Sequence, residues 1–206
     1  MNEKNHWESV YTTKKSNEVS WFQPHATASL ELVKKLECNV DARIIDVGGG
    51  ASMLVDDLLS VGYSNLTVLD ISPSALEIAK DRLGGKSKYV EWLVDDVTKL
   101  DVPKHSIDLW HDRAVFHFLN DQSQRESYVK IVLNAVKPGG HVIVSTFSLD
   151  GPEKCSGLPV QRYDVKSLHG QFGEPFVLLG HEYESHKTPF GSQQNFVYCY
   201  CRVANA

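Results

Sequence analysis

The sequence predicts an α/β fold: a doubly wound, mostly parallel seven-stranded sheet with an antiparallel hairpin at its C-terminal edge and a helical arm at its N-terminus. Three observations predict it. From Asp41 onward, short β-branched runs alternate with helical patterns, which requires right-handed crossovers between parallel strands. A glycine cluster follows the first of those runs, and the tail carries two consecutive strand-like runs with no helix between them. With 206 residues, 42% hydrophobic and 23% charged, the chain suits one domain over 1–206 that can build its own core.

Taken in order, residues 1–40 form the arm, 41–150 the core of the sheet and 151–206 the edge strands with the segment before them. Arg43-Ile-Ile-Asp46 is the first strand and leads into Gly48-Gly-Gly50. A helical pattern from about Met53 to Val61 precedes the second strand, Leu66–Asp70. Pro73 opens the next helix, because proline suits the first helical turn, and Gly84-Gly85 closes it. Val90–Val94 is the third strand and Ile107–Trp110 the fourth. Val129, Ile131, Val132 and Val136 fall at helical spacing in Tyr128–Val136; Pro138-Gly139-Gly140 stops that helix before the fifth strand, His141–Phe147. Phe176–Tyr183 and Phe196–Val203, separated by a stretch containing Pro189 and Gly191, read as the antiparallel pair.

Composition excludes several classes of function. A formal charge of −5 argues against a partner held by bulk charge, so neither nucleic acid nor an anionic membrane is expected. No apolar run approaches the ~20 residues of a membrane-spanning helix. The start, MNEKNHWESVY, carries no apolar leader, which predicts a cytoplasmic protein. Cys38, Cys155, Cys199 and Cys201 contain no CxxC pair; Cys199 and Cys201 share one strand face, and all four read as reduced thiols. The histidines show neither HExxH nor a Cys/His spacing of a metal site, so no metal is expected.

Ligands of open α/β sheets bind at the carboxyl ends of the strands, where Asp46-Val-Gly48-Gly-Gly50 lies. Glycines there let backbone approach a ligand closely, and a tight strand-to-helix turn alone also explains them. Met53 occupies the place of the third glycine of a dinucleotide fingerprint, and no Lys-Ser/Thr follows for a phosphate loop. The Tyr-x-x-x-Lys pair at Tyr11–Lys15 lies before the sheet, which disfavours a nicotinamide oxidoreductase. Asp70 ends the second strand about twenty residues on, where a carboxylate can grip both hydroxyls of a ribose. Asp96 can accept from an adenine amino group, Val97 can offer its backbone N–H to a ring nitrogen, and Ile71 can pack on the adenine face. Asp46 can hold a cationic amino group. Each acid also has a local reading, Asp70 as a helix cap and Asp96 as a turn residue.

This ordered set, with Lys137-Pro-Gly-Gly140 before the fifth strand, resembles the class I S-adenosylmethionine-dependent methyltransferases over about Asp41–Phe147. Gly49-Gly50-Ala51-Ser52 departs from the family's more usual Gly-Cys-Gly-Thr-Gly. The resemblance implies a Rossmann-like fold with S-adenosylmethionine as cofactor. It assigns donor contacts to Asp46, Gly48, Gly50, Asp70, Ile71, Asp96 and Val97, makes 41–150 the donor-binding core, and puts the acceptor side in 151–206.

The arm, Trp7-Glu-Ser-Val-Tyr11 followed by Val19-Ser-Trp21-Phe22, concentrates aromatic residues. Trp7 and Tyr11 share a helix face at i, i+4, either as pins to the core or as a lid offering aromatic faces to a sulfonium. The pattern is similar to small bacterial methyltransferases and to lysine methyltransferases of elongation factor or citrate synthase. That match puts Tyr11 and Trp21 near donor or acceptor. Trp110-His111-Asp112-Arg113 then reads as a polar turn after the fourth strand. His111 or His117 is a candidate general base there, with His111 also facing the donor, and Asp112 is placed to orient an imidazole or an amine. Arg113 is placed to bind an acidic acceptor or to pair with Asp112. Arg162 and Tyr163 either contact substrate or flank a helix capped by Asp164.

The expected reaction is in-line displacement of a methyl group by an O, N, S or As nucleophile. A small-molecule acceptor is the first expectation and a protein lysine the alternative. A non-catalytic nucleoside-binding protein and a nicotinamide oxidoreductase are the competing classes.

Overall fold

A computed structural model describes residues 3–205; Met1, Asn2 and Ala206, the ends of the expected single domain, lie outside the described residues. The arm contains α1 (Glu3–Thr13) and α2 (Thr27–Lys35). The core follows as β1 (Ile44–Val47), α3 (Leu54–Ser60), β2 (Leu66–Asp70), α4 (Pro73–Leu83), β3 (Val90–Val94), β4 (Ile107–Arg113), α5 (Gln122–Ala135) and β5 (Val136–Phe147). A short hairpin of β6 (Lys154–Cys155) and β7 (Leu158–Pro159), α6 (Val165–Phe172), β8 (Phe176–Lys187) and β9 (Gln193–Val203) complete the chain.

The seven-stranded sheet has the order β3-β2-β1-β4-β5-β9-β8, parallel from β3 to β5 and antiparallel at the β5-β9-β8 edge. The chain runs outward from β1 to β3 and then returns to pair β4 with β1. A crevice therefore opens where the strand order reverses. Side chains alternate between two cores, as a period of two requires. Ile45, Trp110, Val142 and Cys199 face α5 and α6, whereas Ile44, Leu109, Ile143 and Tyr198 face α2 and α3. Cys199 and Cys201 do share a face, both thiols are free, and burial pushes each up to about 12.

Most elements lie where the sequence puts them, and the differences have local causes. Pro73 does open α4, with the Ser72 hydroxyl accepting from Ala75 N as cap. Asp164 caps α6 in the same way, through Ser167 N at 2.7 Å. β5 begins at Val136, because Lys137–Gly140 bulges out of the ladder between the pairs Ile107–Val136 and Leu109–His141. The edge hairpin extends through polar residues to the pair Lys187–Gln193. The largest correction concerns β4. His111, Asp112 and Arg113 are its last three residues, paired with Ile143, Val144 and Ser145, and form no turn. Three polar residues can end a buried central strand because each is hydrogen-bonded there.

Candidate active site

The turn after β1 brings two acids together. Gly48 (φ 64°) and Gly50 (φ 35°) adopt left-handed backbone that other residues disfavour. A β-carbon at Gly50 would lie 2.6 Å from Asp70 Oδ2, and one at Gly49 would lie 2.5 Å from Asp46 Oδ2. The glycines thus admit both carboxylates against the backbone. Asp70, at the end of β2, accepts from Ser72 N at 2.8 Å and leaves the helix-capping role to Ser72. Burial raises the Asp70 carboxyl to about 7 and the charge of Asp46 adds to the rise, while the N–H groups of Ser72 and Ile71 pull it down.

The β1–β4 register sets Asp46 beside His111. His111 is buried, with Nδ1 2.7 Å from Asp46 Oδ1 and Nε2 2.9 Å from the hydroxyl of Ser29 on α2. Both ring nitrogens are engaged, so His111 holds Asp46 in place. Ser29 has no recognisable signal in the sequence, since a serine in an amphipathic helix is unremarkable.

Two neighbouring spaces adjoin these acids. A recess of about 580 Å³ is bordered by Ser29, Asp46, Gly48, Gly49, Ser52 and His111. A cleft of about 900 Å³ is bordered on one side by Asp70, Ile71, Asp96 and Val97, and at its far end by Phe118, Phe147, Cys155 and Phe196. Tyr11, Trp21, Val47, Gly48 and Arg113 border both and mark the junction. Gly50 borders neither and acts by giving Asp70 room. The Asp96 carboxylate lines the cleft yet is already held by Thr98 and by Lys99 Nζ at 2.8 Å. Burial opposes its charge, but those partners keep its pKa below the ordinary value.

The arm roofs the junction. Trp7 meets Trp21 and Phe118 edge-on, with ring centroids 5.6 and 5.1 Å apart, and Tyr11 meets Trp21 at 6.3 Å. Burial first, and the charge of Asp70 second, keep the Tyr11 phenol protonated. Glu8, on the same helix, accepts from Ser72 Oγ at 2.7 Å and from the Ser74 hydroxyl, which ties the roof to the start of α4. The i, i+4 spacing of Trp7 and Tyr11 shows their common face, but only the fold shows what that face covers.

The far side of β4 differs from the sequence reading. Arg113 does not pair with Asp112. Its Nη2 and Nε lie 3.2 and 3.3 Å from Glu184 Oε2 on β8, and Nε donates to the Tyr198 hydroxyl at 2.9 Å. Asp112 points to the opposite face, where it accepts from Val115 N at 2.9 Å and from the Tyr128 hydroxyl at 2.6 Å. His117 is wholly buried between Phe118 and Phe147, and burial with the nearby Arg113 drives its pKa down to about 3. Neither Asp112 nor His117 borders the cleft or the recess. Arg162 bonds the carbonyls of Leu149 and Gly151, and Tyr163 packs on Phe116 in the core.

S-adenosylmethionine fits this geometry. Asp70 is a buried acid bonded to backbone N–H, set in a space a single β-carbon at Gly50 would invade, and the aromatic roof lies beside it. Hydroxyl donors and a sulfonium match those groups.

Comparison with known proteins agrees. A family model described as a methyltransferase domain matches residues 45–144. The chain is 22% identical over 202 residues to EEF1A lysine methyltransferase 2 of Homo sapiens, covering 91% of this chain and 79% of that one. It spans less than half the length of the ubiquinone/menaquinone biosynthesis C-methyltransferases it also matches, 43% for that of Ectopseudomonas mendocina at 31% identity over 53% of this chain. Among solved structures, the N-methyltransferase NodS from Bradyrhizobium japonicum, in complex with S-adenosylhomocysteine, superposes with a TM-score of 0.71 at 14% identity, covering 95% of this chain and 97% of that one. At that identity the likeness shows the fold. Fold, acid placement and family model converge on the class I S-adenosylmethionine-dependent methyltransferases as the proteins this chain resembles, with the methyltransferase-domain match lying over residues 45–144.

Proposed function

We propose that the protein transfers a methyl group from S-adenosylmethionine to a small-molecule acceptor seated in the aromatic end of the cleft. The observation that carries this reading is the polarity of one continuous space. Its donor side is lined by Asp70 and Asp96, its far end by Phe118, Phe147 and Phe196, and α1 roofs the junction between them. Bound S-adenosylmethionine supplies an electrophilic methyl group on a sulfonium.

The chain's own residues bind, orient and exclude water. Asp70 accepts hydroxyl hydrogen bonds, Ile71 and Val97 offer an apolar slot for a base, and Asp46, fixed by His111, receives a cationic amino group. Trp7, Tyr11 and Trp21 close the roof and dry the junction. Alignment of this kind contributes up to ~7–11 kcal/mol to a two-substrate reaction. Among the described residues no imidazole borders the cleft, so the acceptor arrives with its O, N, S or As nucleophile already in reactive form, and the rate follows the acceptor's own ionisation.

The likeness to EEF1A lysine methyltransferase 2 over most of the chain favours a second reading, a protein lysine acceptor. One experiment separates them. Purified protein is incubated with methyl-labelled S-adenosylmethionine and a cell extract divided by ultrafiltration. Label in the low-mass fraction supports the proposal, and label confined to a protein band supports the lysine reading. Absence of transfer with donor still bound sinks both in favour of a nucleoside-binding protein.

A further inference from the structure

We infer that Glu184 is the counter-ion that allows a positively charged donor to sit beside Arg113, and that it thereby sets the site's preference between the sulfonium donor and its neutral thioether product. The inference rests on the reading of the recess and cleft as the donor site. Arg113 borders both spaces at their junction, with only 11% of its side chain exposed. S-adenosylmethionine adds a second fixed positive charge to that junction, and S-adenosylhomocysteine does not. Two cations in a poorly hydrated site repel strongly, and salt screens them little.

The hairpin removes that conflict. Glu184 Oε2 accepts from Arg113 Nη2 and Nε and from the Tyr198 hydroxyl at 2.7 Å, while Oε1 accepts from Gln23 of the arm. The Phe196 ring covers the guanidinium at 4.2 Å. Burial works against the Glu184 carboxylate, yet Arg113, Tyr198 and Gln23 together hold its pKa below the ordinary value, so the pair is ionised and neutral as a unit. Glu184 itself borders neither the recess nor the cleft and faces the groove between α2 and β8. It acts through Arg113, as a positioning residue with an electrostatic effect. Removing its charge leaves a buried, uncompensated cation at the junction.

Calorimetric titration with S-adenosylmethionine and with S-adenosylhomocysteine, at low salt, tests this. In Glu184→Gln the affinity for the thioether stays within about threefold of wild type, while affinity for the sulfonium falls on the order of ten- to a hundredfold. Tyr198→Phe keeps both charges and leaves the ratio of affinities within about threefold. Arg113→Met shifts the ratio the other way, toward the sulfonium, and decides the matter if Glu184→Gln does not fold. An unchanged ratio in Glu184→Gln or Arg113→Met, or equal loss of both ligands, overturns the inference. Wild-type protein that binds neither ligand would refute the donor-site reading itself, a separate failure.

Discussion

His111 Nδ1 lies 2.7 Å from Asp46 Oδ1, and the pair is closed on its other side by Ser29. In a neutral ring the proton sits on Nδ1, because an ionised carboxylate only accepts, and Nε2 then accepts from the Ser29 hydroxyl. The Nε2 lone pair is engaged by Ser29, and the ring borders the recess and not the cleft. The histidine that looks most like a base in the sequence is therefore a support for an acid.

Replacing His111 by Ala leaves Asp46 buried without its partner. Affinity for S-adenosylhomocysteine is expected to fall about tenfold, and unfolding free energy by about 1–3 kcal/mol, the penalty for an unsatisfied buried group. Calorimetry and chemical denaturation read the two effects. Lost turnover with intact donor affinity would falsify the supporting role and reinstate the ring as a base.

Asp70 carries a pH signature. Its carboxyl titrates at about 7 in the folded protein, chiefly through burial, against about 3.9 in an unfolded chain. The folded state holds the proton more tightly, so this residue's contribution to stability is full below about pH 4 and is lost as pH rises to 7. Without ligand, Asp70→Asn should therefore gain melting temperature relative to wild type at pH 8, and the gain should vanish near pH 4. Donor binding needs the ionised form and should strengthen through the same interval, a trend the Asn variant loses. Parallel pH profiles of the two proteins, in melting or in binding, would remove the acid from the site.

Asp112 supports the fold from the other side of β4. Burial raises its carboxyl to about 6 against the pull of the Tyr128 hydroxyl and the Val115 and Phe116 N–H groups. Asp112→Ala strands all three donors and is expected to lower unfolding free energy by about 2–4 kcal/mol. Folded variant should still bind S-adenosylhomocysteine within about threefold of wild type, as measured by calorimetry below its melting transition. Donor affinity that collapses while stability holds would mean that Asp112 belongs to the site after all.

Much of this was legible in the chain itself. Strand-helix alternation determines the parallel sheet, Pro73 the start of α4, and the glycines after β1 the open turn. Asp46 and Asp70 follow from their places at the strand ends, since one local rule fixes where a carboxyl terminus points in such a sheet. Trp7, Tyr11 and Trp21 announce an aromatic arm through spacing alone.

The fate of Trp110-His111-Asp112-Arg113 was not legible. A central strand buried on both faces carries no polar alternation to reveal its length, so the strand looks finished at Trp110 although it runs to Arg113. Which way each residue then points depends on neighbours brought from elsewhere: Ser29 for His111, Tyr128 for Asp112, Glu184 and Tyr198 for Arg113. The chain alone placed Asp46 and Asp70 at strand ends beside the glycine turn, because each lies one strand or one turn from those glycines. Which polar residues of β4 face the cleft emerges only from long-range packing, because their partners are set by strand register and by burial, where a charge must be matched or be lost.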